Sequence, residues 1–274
     1  MPDLDYLSAI QEWRARYERD LTAEDGWLAI AGLAWLPEGA SSFGSAPGND
    51  IRLPAGSTTL QAGWFFNHVG TITLQAANGT PVSMDGQPVA STTIPIHEHG
   101  SSDPIKVGRL TLYVIQRGPR YGLRIYDPES PARRSFAGCQ WFPVDETYHL
   151  QAAFVPSETP ASISITNVLG LSSDMPSPGF ITFQLNGQEY RLTPLASGDK
   201  LFFIFRDATN GRITYPAGRY LYADPPKNGI VTLDFNKAYS PPCAFTPYAT
   251  CPLPPQENRL PVPIFAGEMQ HQRT

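Results

Sequence analysis

The chain has 274 residues, of which 41% are hydrophobic and 16% are charged, enough apolar material for one large β domain or two smaller domains. Its net charge of -5 is mild and unclustered, so the sequence indicates neither a nucleic-acid-binding face nor an acidic tail. The N-terminus has no basic and apolar leader, and no apolar run approaches the roughly 18 residues of a membrane span. These features predict a soluble cytoplasmic protein.

The first 49 residues are predicted to form a helix and an apolar packing segment. Apolar side chains recur at helical spacing between charged ones over residues 4–21, at Leu4, Leu7, Ile10, Trp13, Tyr17 and Leu21. This periodicity predicts an amphipathic helix, with Asp3 as its N-cap, laid against a larger body. The run from Trp27 to Leu36 is too apolar for an exposed surface and too short for a membrane, so we expect it to be buried.

From about residue 50 the pattern changes to the period of two that is typical of strands. Tight hairpin turns are predicted at Asn78-Gly79, Asp85-Gly86, Asn186-Gly187 and Asn228-Gly229, with a further turn at Gly118-Pro119. The sequence therefore predicts a mainly β protein, an antiparallel barrel or sandwich with an N-terminal helix and an ordered proline-rich C-terminal loop. The break at residues 127–131 predicts β regions at 50–130 and 131–274, or one continuous domain.

Residues 234–258 combine reactive and polar side chains with a backbone that several prolines stiffen. Each proline fixes its own φ and biases the preceding residue toward extended conformations, which predicts an ordered, non-helical loop after a strand. An ordered loop without regular structure is a natural place for a functional site.

The chain has three cysteines, Cys139, Cys243 and Cys251. An odd number without an export signal predicts reduced thiols. The spacing of Cys243 and Cys251 matches no common zinc motif, so we predict no metal site. The sequence indicates no particular cofactor and no oligomeric state.

Several short motifs stand out, most of them in the C-terminal half of the chain. They are Phe205-Arg206-Asp207-Ala208-Thr209, Gly218-Arg219-Tyr220-Leu221, Leu233-Asp234-Phe235-Asn236, Pro241-Pro242-Cys243-Ala244-Phe245, Tyr248 to Pro255, Asn258-Arg259-Leu260-Pro261 and Ala266-Gly267-Glu268, and upstream Gly26-Trp27-Leu28 and Trp141 to Asp145. Together they resemble the uncharacterised family DUF1684, and the resemblance extends over nearly the whole chain. Ser240 departs from the family pattern, in which asparagine precedes the two prolines. The family implies no activity, so the resemblance marks a region and leaves its chemistry open.

Two groups of polar residues flank the strand ends. Asp234 and Asn236 fall on one strand face, where they either hold a ligand or cap the turn into the loop. A buried arginine needs a carboxylate partner, so Arg206 or Arg219 is expected to pair with Asp207 or Asp234. We favour this structural ion pair over a guanidinium fork that binds an anionic ligand.

The remaining candidates are groups that an active site would use. Cys243, held behind two prolines, is a candidate nucleophile, although most such cysteines are buried small hydrophobes. Asp234 or Glu257 is the candidate general acid or base. The side chains predicted to line the cleft are those of Tyr215, Tyr239, Tyr248 and Asn258.

The sequence therefore predicts a pocket, closed by the 234–258 loop, that binds a small polar or anionic molecule. If the protein is an enzyme, we expect a hydrolase that uses aspartate and glutamate acid-base chemistry. The alternatives are a non-catalytic small-molecule-binding barrel and a structural module whose proline-rich loop seals a sheet edge.

Overall fold

The computed structural model describes residues 3–98 and 100–271. Strands make up 45% of the chain and helices 14%, which confirms the predicted mainly β class. The sheets are open and paired face to face, so of the two predicted architectures the sandwich fits and the barrel does not. None of the helices in the described part of the chain has the length and apolar character that a bilayer span needs.

The N-terminal helix α1 spans Leu4–Thr22. Asp3 caps it, because its Oδ1 accepts a hydrogen bond from the backbone N–H of Asp5 at 3.0 Å. Ile10 and Leu21 are buried on the apolar face, whereas Leu4 is 77% exposed. The predicted helix is confirmed, but its buried face begins one turn later than the periodicity indicates.

The described residues group into two compact units. Unit 1 contains the described residues of Met1–Arg19 and Ala137–Thr274, and unit 2 contains the described residues of Asp20–Phe136. The predicted regions 1–49, 50–130 and 131–274 stay predictions.

Unit 2 is a sandwich of two sheets. The strands are β1 Ile30–Leu36, β2 Gly39–Gly44, β3 Ile51–Arg52, β4 Gly63–His68, β5 Thr71–Ala76, β6 Val82–Met84, β7 Gln87–Pro88, β8 Ser91–Ile94, β9 Ile105–Val107, β10 Leu110–Arg117 and β11 Arg120–Tyr126, and the short helix α2 spans Pro131–Arg134. One sheet has the order β1-β11-β10-β9-β6-β7 and the other β3-β2-β4-β5-β8. All neighbours are antiparallel except β2 and β3. Side chains from both sheets, including Phe65 and Leu112, share one core.

Unit 1 contains a second sandwich. Its strands are β12 His149–Thr166, β13 Ser172–Leu185, β14 Gln188–Leu192, β15 Leu195–Ser197, β16 Lys200–Phe205, β17 Arg219–Ala223 and β18 Ile230–Asp234. They form one sheet in the order β14-β13-β12-β18 and another in the order β15-β16-β17. Phe183 and Leu233 of the first sheet lie in the same core as Phe203 and Leu221 of the second. The edge strands β17 and β18 follow each other in the chain.

Four of the five predicted turns form as expected. Both central residues have positive φ at Asp85-Gly86, Asn186-Gly187 and Asn228-Gly229, and Gly118 turns β10 into β11. The hairpin prediction at Asn78-Gly79 is wrong. That turn joins β5 to β6, which pair within different sheets, and Gly79 alone takes a positive φ.

The proline-rich segment after β18 is a loop with three short 3₁₀ turns, at Phe235–Lys237, Pro242–Ala244 and Gln256–Asn258. The extended residues between the turns agree with the restriction that proline places on φ. The strand itself ends at Asp234, two residues earlier than the alternating pattern predicts.

Candidate functional site

Unit 1 contains a pocket of about 660 Å³ beside the edge strands β17 and β18. Of the sequence-predicted site residues, Asp234 and Tyr239 line this pocket. Asp234 lies at the end of β18 and Tyr239 follows the first 3₁₀ turn, so the strand and the start of the loop together form one wall.

Lysines outnumber aspartates around the pocket, where Lys200, Lys227 and Lys237 lie with Asp224 and Asp234. Lys237 Nζ lies 3.2 Å from Asp234 Oδ2, and Lys200 Nζ lies 3.6 Å from Asp224 Oδ1. Lys227 forms no ion pair with any described residue; it is exposed and precedes the Asn228-Gly229 turn. The lining therefore carries one positive charge in excess.

Aromatic rings form the other part of the lining. Tyr222 is 40% exposed, and its ring stacks on Phe202 with centroids 4.7 Å apart. The ring of Tyr239 lies nearly parallel to that of Tyr222, at 15° and 6.5 Å, and Trp13 of α1 contacts Tyr239 at 6.3 Å. Burial raises the pKa of Tyr239 well above its usual value, so its phenol stays neutral.

Asp234 and Asn236 are tied into the turn that follows β18. Asp234 Oδ1 accepts hydrogen bonds from the Tyr6 hydroxyl at 2.8 Å and from the Asn236 backbone N–H at 3.1 Å. The fully buried Asn236 side chain accepts from Asp145 N at 3.0 Å and donates to Asp145 O at 2.8 Å. Burial, followed by the contact with Asp234, raises the pKa of Tyr6 above its usual range. These contacts match the turn-capping alternative.

The predicted ion pair forms between Arg219 and Asp207. Arg219 Nη2 lies 2.7 Å from Asp207 Oδ2, and both side chains are fully buried. The guanidinium also donates to the carbonyls of Ile264, at 3.0 Å, and Ala266. Arg206 is exposed and contacts its neighbours through its backbone. The predicted ion pair is confirmed, and none of the three side chains lines the pocket.

Cys243 and Cys251 lie side by side in a small apolar cluster with Ala249 and Tyr215. The backbone N–H of Cys243 donates to Cys251 Sγ at 3.1 Å, and the Tyr215 hydroxyl donates to the Cys243 carbonyl at 3.0 Å. The contact with Cys243, together with burial, raises the pKa of Cys251 far above its usual value. The pair therefore consists of buried thiols, away from the pocket lining.

Three further predicted site residues also lie away from the pocket. Asn258 is buried, and its side chain links two other chain segments by hydrogen bonds. It accepts one from Thr193 N at 2.7 Å and donates to the carbonyls of Thr193 and Ile204 at 2.8 and 3.0 Å. Glu257 and Tyr248 are exposed. The predicted set thus divides among a pocket, a buried turn, a buried ion pair, a thiol cluster, the buried contact of Asn258 and the surface, and does not surround a single hollow.

Sequence reasoning missed a buried carboxylate, that of Glu268. It is fully buried, and its Oε2 accepts hydrogen bonds from Ser240 N at 2.7 Å and from the Tyr17 hydroxyl at 3.2 Å. Its Oε1 has no hydrogen-bond partner among the described residues. Burial raises the pKa of Glu268 from 4.5 to about 7, against the opposing effect of its hydrogen bonds to Ser240, Cys139 and Tyr17. The motif Ala266-Gly267-Glu268 is the one sequence signal that marks this position.

The pocket residues Tyr222 and Lys227 were missed as well. A tyrosine within a strand and a lysine before a turn are common features of β proteins, so no sequence signal distinguishes them. Their role in the lining arises from the juxtaposition of β17 and β18.

The fold and the site define a two-unit β-sandwich protein with a lysine-rich, aromatic-walled pocket. A family described as "Protein of unknown function (DUF1684)" matches residues 134–269. An uncharacterised protein from Haloarcula marismortui, solved by NMR, is 33% identical to this chain; the alignment covers 52% of this chain and 82% of that one, with a TM-score of 0.43. The chain belongs to the DUF1684 family.

Solved structures of FHA domains also show similarity. One is the FhaA FHA domain in complex with the intracellular domain of another protein, and one comes from a study of phosphothreonine-dependent FHA interactions. They are 14% and 15% identical to this chain, and the alignments cover 34% of it and 96% and 92% of theirs, each with a TM-score of 0.25. Similarity at this level carries no argument about function. No curated protein matches the chain.

Proposed function

We propose that the unit 1 pocket binds a small anionic molecule that carries a planar ring. The observation that supports this most directly is the composition of the lining, which combines an excess of lysine with an exposed tyrosine ring in about 660 Å³. Ligand pockets of a few hundred cubic ångströms typically pair aromatic surface with a few convergent polar groups.

Lys227 is the group that would contact the anion. Its ammonium is exposed and makes no ion pair with the described residues, whereas Lys200 and Lys237 each face an aspartate. An ammonium is a compact point charge that suits a phosphate or carboxylate. The net charge of -5 over the whole chain favours a small anion over a nucleic acid as the partner.

Tyr222 would contact the ring. Tyr222 is 40% exposed, and stacking on Phe202 holds its ring in place. Aromatic pairs in offset or edge-to-face contact contribute about 0.5–1.5 kcal/mol beyond the area that they bury. A ligand with both a ring and an anionic group would therefore bind more tightly than either fragment.

We propose binding without turnover as the function. Of the predicted catalytic groups, Asp234 is the one that lines the pocket, and its carboxylate is engaged by Tyr6, the Asn236 backbone and Lys237. Such a carboxylate suits the positioning of a lysine better than proton abstraction, which needs an accessible base. The hydrolase hypothesis then depends on a turnover experiment.

Binding is tested with adenosine monophosphate as the probe, compared with adenosine and inorganic phosphate, by calorimetry and thermal shift. We expect the monophosphate to bind more tightly than either fragment and Lys227→Gln to weaken it. Lys106→Gln, in unit 2, is the matched control. For the ring, Tyr222→Leu is compared with Tyr248→Leu, since the two tyrosines are 40% and 39% exposed.

Equal affinity for the monophosphate and its fragments, or equal effects of the two lysine variants, would refute the proposal. Incubation of the protein with phosphate and carboxylate esters tests catalysis separately. Hydrolysis that Asp234→Asn abolishes would establish the hydrolase instead of the binding protein.

A further inference from the structure

The thiol of Cys251 lies against the backbone of Cys243, in the same apolar cluster. Cys251 Sγ lies 3.1 Å from Cys243 N, and the N–Cα bond is about 1.5 Å, so this sulfur lies within about 5 Å of Cys243 Cα. Disulfide-bonded cysteines have Cα atoms roughly 4.4–6.8 Å apart. A sulfur this close to the backbone of the other cysteine is compatible with that range, so we expect rotation of the two side chains to bring the sulfurs together.

The surrounding chain holds both cysteines in place. The Cys243 carbonyl accepts a hydrogen bond from the Tyr215 hydroxyl at 3.0 Å, and the Cys251 carbonyl accepts one from Val168 N at 2.9 Å. Next to Cys251, the carbonyl of Pro252 accepts from the Tyr220 hydroxyl at 2.9 Å. Because these contacts fix the two ends of the intervening loop, the thiols stay near each other while the unit is folded.

Burial should slow the oxidation of the pair. The two residues are 8% and 4% exposed, and the raised pKa of Cys251 keeps its thiol protonated at neutral pH. A protonated, enclosed thiol attacks external oxidants slowly. Once one sulfur has reacted, however, the other is its nearest partner, which favours closure of the ring over release of a mixed adduct.

We propose that Cys243 and Cys251 form a reversible intramolecular disulfide by exchange with a low-molecular-mass disulfide of the glutathione type. One protein thiolate attacks a sulfur of oxidised glutathione, and a mixed disulfide forms as the first glutathione leaves as thiolate. The second protein thiolate then attacks the mixed disulfide and expels the second glutathione. Two protein thiols are oxidised, one external disulfide is reduced, and two glutathiones with their protons are released.

The experiment equilibrates the full chain with oxidised glutathione and counts thiols after quenching with acid and unfolding in denaturant. We expect the count to fall from three to one, and the mass to fall by the two thiol hydrogens with no added glutathione. Cys139→Ser should leave this change intact, whereas Cys243→Ser and Cys251→Ser should each abolish it.

Peptide mapping of the unreduced wild-type protein does not depend on whether the variants fold. It should recover residues 243 and 251 in linked peptides, and reductant should separate them. Three remaining thiols at equilibrium, a stable glutathione adduct on one cysteine, or a bridge that includes Cys139 would each overturn the proposal.

Discussion

Replacing Glu268 with glutamine should remove a pH-dependent loss of stability. Because the carboxyl is fully buried, its pKa rises from 4.5 to about 7 in the folded protein. Between these two pH values the folded state retains a proton that the unfolded chain has released. The free energy of unfolding therefore falls as pH rises through this window. The loss is complete above about pH 7, and Glu268 has no such effect below about pH 4.5.

The size of the loss follows from the shift in pKa. A difference of one pKa unit between the folded and unfolded states corresponds to about 1.4 kcal/mol. A rise in the pKa of Glu268 from 4.5 to about 7 therefore corresponds to about 3 kcal/mol. Glutamine keeps an oxygen that can accept from Ser240 N and the Tyr17 hydroxyl, but it has no charge to bury. The free energy of unfolding of Glu268→Gln, taken relative to that of wild type, should therefore rise by about 3 kcal/mol between acidic and mildly alkaline pH.

Urea unfolding of both proteins across this pH range, at constant ionic strength, gives the difference directly. If the two units unfold in separate transitions, the transition of unit 1 is the one to compare. Glu257→Gln, which alters an exposed carboxylate, is the matched control for the loss of one carboxylate.

A difference between Glu268→Gln and wild type that does not change with pH would refute the reasoning. NMR titration of the Glu268 side-chain carboxyl carbon provides a readout independent of unfolding. Its midpoint should lie well above that of an ordinary glutamate, and a midpoint near 4.5 would mean that burial does not shift this group.

Two further predictions concern the packing of unit 1. Arg219→Met should lower the free energy of unfolding by about 3–5 kcal/mol, since it leaves the Asp207 carboxylate buried without its partner. The control Arg206→Met, at an exposed position, should change the free energy of unfolding by less than about 0.5 kcal/mol. Similar losses for the two variants in urea unfolding would argue against the buried pair. Gly267→Ala should destabilise more than Gly187→Ala. Both glycines have positive φ, but an added Cβ would lie 2.4 Å from Ala238 O at Gly267 and meets nothing within 4 Å at Gly187. Thermal unfolding of the two variants compares them, and equal melting temperatures would contradict the predicted clash.

Much of the local structure could be predicted because it depends on neighbouring residues. Asp3 caps α1 as the sequence indicates, and the Asp85-Gly86 and Asn186-Gly187 dipeptides form tight turns since both positions tolerate positive φ. The same reasoning failed at Asn78-Gly79. A turn dipeptide does not specify whether the strands on either side pair with each other or with strands elsewhere.

The candidate site was less predictable. The sequence drew attention to the 234–258 loop, and Asp234 and Tyr239 do line the pocket. Lys227 and Tyr222, which we propose as its ligand contacts, precede that loop in the chain. Their importance depends on which strands lie at the sheet edges, and short-range sequence patterns contain no information on that point.

The sequence by itself determined the class of fold, the N-terminal helix, most of the turns and the need for a carboxylate beside a buried arginine. These follow from steric preferences and from the free-energy cost of burying an unpaired charge, both of which act on single residues or near neighbours. The tertiary structure alone decided that Arg219 pairs with Asp207, that two cysteines meet, and that Glu268 is enclosed with one oxygen unpartnered. Such outcomes depend on long-range packing, which sets how deeply each group is buried and which groups face it.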